Sequence, residues 1–275
     1  MALGVRERMP GLGLRIWARR NAVFNELQEL GFEAGELTAD LADVAREADL
    51  IVLATPVGIM PLLARQLVDV GLGGNRRVVV TDVGSVKAEV ERSVGVFFRE
   101  RGVSFVGSHP MAGSEKAGLR YAKADLFEGA KCIVTDGNRD ETDRARVVAF
   151  WEALGASVTV MPAIEHDEVV ARISHVPHAA AAAVVLAALS RQPDLARLSG
   201  GGFRDTTRVA SGPPEMWAEI LMENREEVEK GLCDLEERVS DLLALLRNHD
   251  KEGLVSFLTR AKELRERLGP GPLPH

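Results

Sequence analysis

The sequence predicts an α/β chain, a doubly wound and mainly parallel sheet followed by an all-helical segment. Three observations carry this expectation. From residue 14 to about 161, short β-branched runs alternate with amphipathic helical stretches, the pattern of a parallel sheet covered on both faces. After Met161 the strand pattern stops, and apolar residues recur at spacings of three and four, as on helices. The chain's 275 residues, 46% hydrophobic and 27% charged, suffice for two modest domains with their own cores. The expected boundary separates residues 1–161 from 162–275.

At the N-terminus "MALGVRERM" is helix-like, and Gly11 and Gly13 form a turn from it into the strand "LRIWA". "NAVFNELQELG" is helical, and "LADVAREAD" leads into the strand "LIVLATP". "GIMPLLARQLVDVG" precedes the strand "RRVVVTDVG". "SFVGSHP", "KCIVTD" and "SVTVM" complete the strands, with the helix "ETDRARVVAFWEALG" between the last two. Beyond them, "IEHDEVVARISHVPHAAAAAVVLAALS" reads as helix around a break at Pro177. Residues 213–248 read as one long helix, with Pro213 and Pro214 in its first turn. "GLVSFLTRAKELRERL" is a last helix before a frayed "GPGPLPH" tail. So long a helix predicts a homodimer interface, with packing inside one chain as the alternative.

Bulk properties exclude several classes. A net charge of −7 and no long basic run argue against nucleic acid as a partner. Cys132 and Cys233 lie far apart with no C-x-x-C pair, which fits a reducing cytosol and neither a disulfide framework nor a metal site. The most apolar run, residues 178–189, is too short for a bilayer, and the N-terminus lacks a signal-peptide pattern. The expectation is a cytoplasmic protein with no membrane partner.

A dinucleotide fingerprint lies between the first strand and first helix of a doubly wound fold. Gly11 and Gly13 are instead followed by a strand, so they are not the phosphate loop, and the expectation is that this chain lacks the first strand and glycine loop. After "LRIWA" stand Arg19 and Arg20 rather than an acidic residue. Two guanidinium groups favour the 2′-phosphate of NADP over NAD, unless they are merely solvated helix-start residues. Thr55 and Pro56, closing "LIVLATP", are further candidates for cofactor contact.

Ligands bind at the carboxyl ends of strands in such sheets. "TDVGSVK" places Ser85 there, and "VGSHPMAGSEKAG" places His109 at the same edge between glycines. In the helical half, "ISHVPHAAAA" carries His175 and His178, the latter either in a site or capping a helix. "GGGFRDTTRVASGPPEMW" sets Asp205 and Arg208 among apolar neighbours. A buried guanidinium there needs a carboxylate, which points to an anionic substrate.

"TDVGSVK", "GSHPMAGSEKAG", "SHVPHA" and "GGGFRDTTRVASGPPEMW", in this order and spacing, resemble the prephenate/arogenate dehydrogenase family of tyrosine biosynthesis. The resemblance runs from "LRIWARR" to the last helix. It implies a Rossmann-like domain with an all-α dimerisation domain, and NAD(P)-dependent oxidative decarboxylation of prephenate, with arogenate as the alternative substrate. His109 corresponds to the family's catalytic base, Ser85 to the serine beside the substrate hydroxyl, and Arg208 and His178 to substrate-binding residues. Ser114, Glu115, Asp205 and Trp217 fall at positions that shape or gate the pocket. No metal is implied. Two other readings are a 3-hydroxyacid dehydrogenase and a binding protein without cofactor.

Overall fold

The structure is a computed structural model that describes residues 1–20, 22–73, 77–113, 118–137 and 140–268. It forms two compact units, Met1–Arg225 and the helical segment from Glu226 onward.

The first unit opens with helix α1 (Ala2–Arg8). Arg6 on this helix donates to the carbonyls of Leu30 and Gly31, at 2.9 and 2.7 Å. Strand β1 (Ile16–Trp17), helix α2 (Ala22–Glu29) and strand β2 (Leu37–Thr38) come next, and β1 and β2 pair in parallel. Helix α3 (Leu41–Glu47) begins at Asp40, whose carboxylate accepts from Ala42 N and satisfies one otherwise orphaned amide. Strands β3 (Leu50–Leu53), β4 (Val79–Asp82) and β5 (Ser104–Phe105) make a parallel sheet. Helix α4 (Met60–Asp69) connects β3 to β4. The connection from β4 to β5 is helical over α5 (Ala88–Val90), a π-helical turn (Glu91–Gly95) and α6 (Val96–Arg99).

Successive residues of a strand face opposite sides, and β4 shows the consequence. Val80 joins Leu53, Met60, Leu67, Phe98 and Phe105 on one side. Val79 joins Val106, Cys132, Val134 and Trp151 on the other. Both faces are covered, which is why these strands read as unbroken apolar runs.

The expected strand "SFVGSHP" divides in two. Its first part is β5, and its second is β6 (Ser108–Met111), which pairs antiparallel with β7 (Lys131–Thr135). Helix α7 (Glu141–Ala153) leads into β8 (Ser157–Met161), parallel to β7. Gly107 marks the division: Thr135 Oγ1 accepts its N–H at 3.1 Å, and a Cβ at Gly107 would stand 2.9 Å from that oxygen.

Two helix expectations are corrected. Pro177 does not interrupt the chain. Helix α8 (Ala163–Val170), a π-helical turn (Ala171–His175) and helix α9 (Val176–Leu189) run on continuously, with the proline in the first turn of α9. Pro lacks the N–H that a regular turn needs, and the wider turn just before it accommodates that loss. The 27-residue helix Ala163–Leu189 is therefore long and apolar enough, by length and composition, to cross a membrane. The expectation based on residues 178–189 counted too short a segment.

After helix α10 (Gly201–Thr207), the predicted long helix is two, α11 (Pro214–Glu223) and α12 (Arg225–Arg247), separated at Asn224 (φ −110°, ψ 29°). Asn224 is buried and donates through Nδ2 to the Asp167 carbonyl at 2.8 Å. That side-chain bond replaces helical continuity. Most of α12 and all of α13 (Lys251–Glu266) make the second unit. Leu232, Val239, Leu243, Leu246, Val255, Leu258 and Leu264 are exposed along them.

Candidate active site

Strand β4 ends at Asp82, and its carboxylate organises the loop beyond the strand. Asp82 and Lys87 form an ion pair with both side chains fully buried. Asp82 Oδ1 accepts the Ser108 N–H at 3.1 Å and Oδ2 the Gly84 N–H at 2.8 Å. Ser108 Oγ donates to the Asp82 carbonyl at 2.6 Å and itself accepts from Trp151 Nε1 at 2.9 Å. The end of β4 is thereby tied to the start of β6. Gly84 has to be glycine: a Cβ there would lie 2.9 Å from both Asp82 Oδ2 and Val57 Cγ2. Ser85 is the next residue of this loop, partly buried, two residues before Lys87.

On β6 the next residue is His109, partly buried, with Nδ1 2.9 Å from His166 Nε2. His166 comes from α8 and is fully buried, and its Nδ1 lies 2.7 Å from Asp167 Oδ1. Asp167 also accepts the N–H groups of Lys87 and Ala88, at 2.8 and 2.9 Å. These amides open α5, so the carboxylate caps another helix from 79 and 80 residues away. Burial, then the neighbouring His166, Lys87 and His175, push the His109 pKa well below 6.5. His109 is therefore a neutral imidazole at physiological pH.

The same long helix carries two more buried histidines, His175 and His178. His175 Nδ1 lies 3.2 Å from Asn224 Nδ2, and burial first of all lowers its pKa to about 4. His178 stacks on Trp217 with ring centroids 3.5 Å apart and 11° between planes. It is buried, and its Nδ1 has no hydrogen-bond partner among the described residues. It lies inside the continuous helix and does not cap it. Gly212 closes this corner, because a Cβ there would come within 2.5 Å of Trp217 Nε1 and 3.2 Å of His178 Cε1.

Arg208 and Asp205 correct an expectation, since both are exposed rather than buried. They sit on the last turn of α10 and the 3₁₀ turn after it (Arg208–Ser211). Ser114 and Glu115 lie outside the described residues. Thr55 and Pro56 come after β3, and Thr55 Oγ1 is buried without a partner among the described residues. Arg19 and Arg20 are exposed just beyond β1. The structure thus joins His109 to the helical segment through His166, Asp167 and Lys87; Lys87 closes the motif "TDVGSVK", while His166 and Asp167 lie outside the quoted motifs. "EHDE" inside a helical pattern reads as solvated charge, and the only hint was a histidine beside an aspartate.

A model of the prephenate dehydrogenase nucleotide-binding domain matches residues 19–160. One of the prephenate dehydrogenase dimerization domain matches residues 162–260. The chain belongs to the prephenate dehydrogenase family. Within the family, the prephenate dehydrogenase of Lactococcus lactis is 29% identical over 280 residues, covering all of this chain and 76% of the relative. A crystal structure of the Aquifex aeolicus family member, in complex with hydroxyphenyl propionate and NAD+, superposes with a TM-score of 0.86 at 32% identity, covering 97% of this chain and 93% of that one. Synechocystis arogenate dehydrogenase gives a TM-score of 0.80 at 26% identity, covering 97% of this chain and 95% of that one. The family's nucleotide-binding half accounts for the sheet that ends at β8.

Proposed function

We propose that this chain is an NAD(P)-dependent prephenate dehydrogenase, which converts prephenate to 4-hydroxyphenylpyruvate with loss of carbon dioxide in tyrosine biosynthesis. The observation that carries the reading is His109, a neutral imidazole on β6 tied to the helical segment, in a chain matched along both halves by the family. A neutral imidazole can take the ring hydroxyl proton as the hydrogen on the same carbon departs with its electron pair. The ring carboxylate then leaves as carbon dioxide. Its bond pair makes the ring aromatic, and the ring oxygen takes back a proton.

Ser85, in the adjoining loop, hydrogen-bonds the substrate hydroxyl. Arg208 holds a substrate carboxylate in its planar fork, which suits exposure at the mouth of a site. His178, with an open Nδ1, takes a polar group of the side chain, and in this setting it favours prephenate over arogenate. Asp205 and Trp217, with Ser114 and Glu115, shape the pocket.

A bound nicotinamide dinucleotide supplies the two-electron acceptor. Groups on this chain are compatible with one: Thr55 with its unpartnered hydroxyl and Pro56 beside it, Ser85 near the nicotinamide, and Arg19 and Arg20 for a 2′-phosphate, which favours NADP. Residues 1–161 serve the cofactor and 162–275 the substrate and dimer contact. The exposed leucines of α12 and α13, in a segment matched by a dimerization-domain model, support a homodimer through these helices. The absence of a cysteine framework supports a cytoplasmic location.

The test measures reduction of NAD and NADP with prephenate, then arogenate, for the wild type and His109→Asn. The expected result is turnover of prephenate and a kcat lower by roughly 10²–10⁴ in the variant. Equal kcat in the two proteins would remove His109 from the chemistry, and no reduction with either substrate would end the dehydrogenase reading.

A further inference from the structure

Three side chains stand in a row from the helical segment to the site, and their hydrogens can be assigned from one end. The carboxylate of Asp167 only accepts hydrogen bonds, and it already takes the amides of Lys87 and Ala88. His166 Nδ1, 2.7 Å from that carboxylate, must therefore carry a hydrogen and donate it. A neutral imidazole has one N–H, so His166 Nε2 is an acceptor. The 2.9 Å contact between His166 Nε2 and His109 Nδ1 then has His109 as the donor. That leaves His109 Nε2 without a hydrogen.

We propose that Asp167, acting through His166, holds His109 in the Nδ1–H tautomer and so keeps the Nε2 lone pair available to take the substrate proton. This rests on the reading of His109 as the base. Neither His166 nor Asp167 is asked to touch substrate; both are positioning residues. The assignment needs both imidazoles neutral, and burial lowers the pKa of each from 6.5. Which ring nitrogen carries the proton is commonly set by what the other one bonds, and here the setting is two steps removed and anchored on backbone amides.

Asp167→Asn is the informative change. Three N–H donors face the two carboxylate oxygens in the wild type. Either amide rotamer sets its nitrogen against one backbone N–H, that of Ala88 or that of Lys87; in the rotamer facing Lys87 the nitrogen donates to His166 Nδ1, moves the His166 hydrogen to Nε2, and so moves the His109 hydrogen to Nε2 as well. The base would then present an N–H where a lone pair is needed. An orienting carboxylate behind a catalytic histidine is worth up to about 10⁴ in kcat in other enzymes. The expected loss here is roughly 10²–10⁴ in kcat with KM little changed.

The experiment has two readouts. Long-range ¹H–¹⁵N correlation spectra of the full, cofactor-free chain separate protonated from unprotonated ring nitrogens. They are expected to show His109 as Nδ1–H in the wild type and an Nε2–H population in Asp167→Asn. Steady-state kinetics of the same proteins then supply kcat and KM. His166→Gln, whose amide can still accept from His109 and donate to Asp167, is expected within about tenfold of wild type, whereas His166→Leu falls with Asp167→Asn. The His166 pair also decides the matter if Asp167→Asn does not fold. A wild-type His109 in the Nε2–H form, or a His166→Leu variant as active as His166→Gln, would overturn the proposal. Failure of the wild type to oxidise either substrate would instead remove the functional reading, and the tautomer would still be decided by the spectra.

Discussion

Protonating His175 should destabilise this protein in mildly acidic solution, and the size of the effect is set by where the ring sits. His175 is 1% exposed, beside Trp217, and its Nδ1 faces the amide nitrogen of Asn224. A second ring hydrogen would point donor at donor in a buried place. Burial, opposed by the Asp167 charge, lowers the pKa to about 4. Its ordinary value is 6.5, so below that pH the unfolded chain binds a proton that the folded chain refuses. Stability is complete above pH 6.5 and is lost as pH falls from 6.5 towards 4. At about 1.4 kcal/mol per pKa unit, the single group costs about 2 kcal/mol between about pH 7 and pH 5. Urea unfolding of wild type and His175→Gln at half-unit steps over that range measures it. The variant is less stable at about pH 7, and the gap narrows by about 2 kcal/mol at about pH 5. Parallel curves for the two proteins would refute the assignment, because His109, His166 and His178 titrate in both.

Three other outcomes are expected. Gly212→Ala should cost about 1–3 kcal/mol in urea unfolding, since the backbone there (φ −63°, ψ 158°) suits any residue but the methyl would meet Trp217 and His178; a neutral result would mean that the stack yields. Replacing Arg19 and Arg20 together by Ala should raise the Kd for NADP, read by calorimetric titration, by roughly tenfold or more while leaving NAD nearly unaffected; equal effects on both cofactors would count against a 2′-phosphate site. Leu243→Glu with Leu246→Glu, at residues 44% and 53% exposed, should turn a dimer into a monomer in sedimentation velocity, and a persistent dimer would place the interface elsewhere.

The alternation of β-branched runs and amphipathic stretches was enough to read β3, β4, β7 and β8, most directly at β4, because a strand buried on both faces has little freedom in composition. Strand β2, two residues long, carries no period to detect. The helical stretch 88–99 was also passed over. His109 was legible because a histidine between glycines at a strand end has few structural reasons to be there. His166 and Asp167 were not, since their meaning lies in partners 57 and 80 residues away. Asn224 was hidden by the apolar period that continues across it: the break between α11 and α12 depends on a buried amide finding Asp167. Arg208 was expected inside from its apolar neighbours and lies outside, on the 3₁₀ turn that follows α10.

The π-helical turn at Ala171–His175 has a geometric consequence for how the site can vary. A regular helix advances roughly 100° per residue, so His166 and His178, twelve positions apart, would project about 120° from one another. One extra residue absorbed in a wide turn removes about one such step and brings the two rings to within about 20° of a common azimuth. The turn acts as a phase corrector between two otherwise ordinary helical segments. Deleting a single residue inside it and restoring regular pitch would leave the downstream azimuth almost unchanged, because eleven regular steps also end within about 20° of whole turns, but it would return Pro177 to a turn that needs its missing N–H. Regularising the turn without a deletion is the change that would swing everything downstream by about a quarter of a revolution.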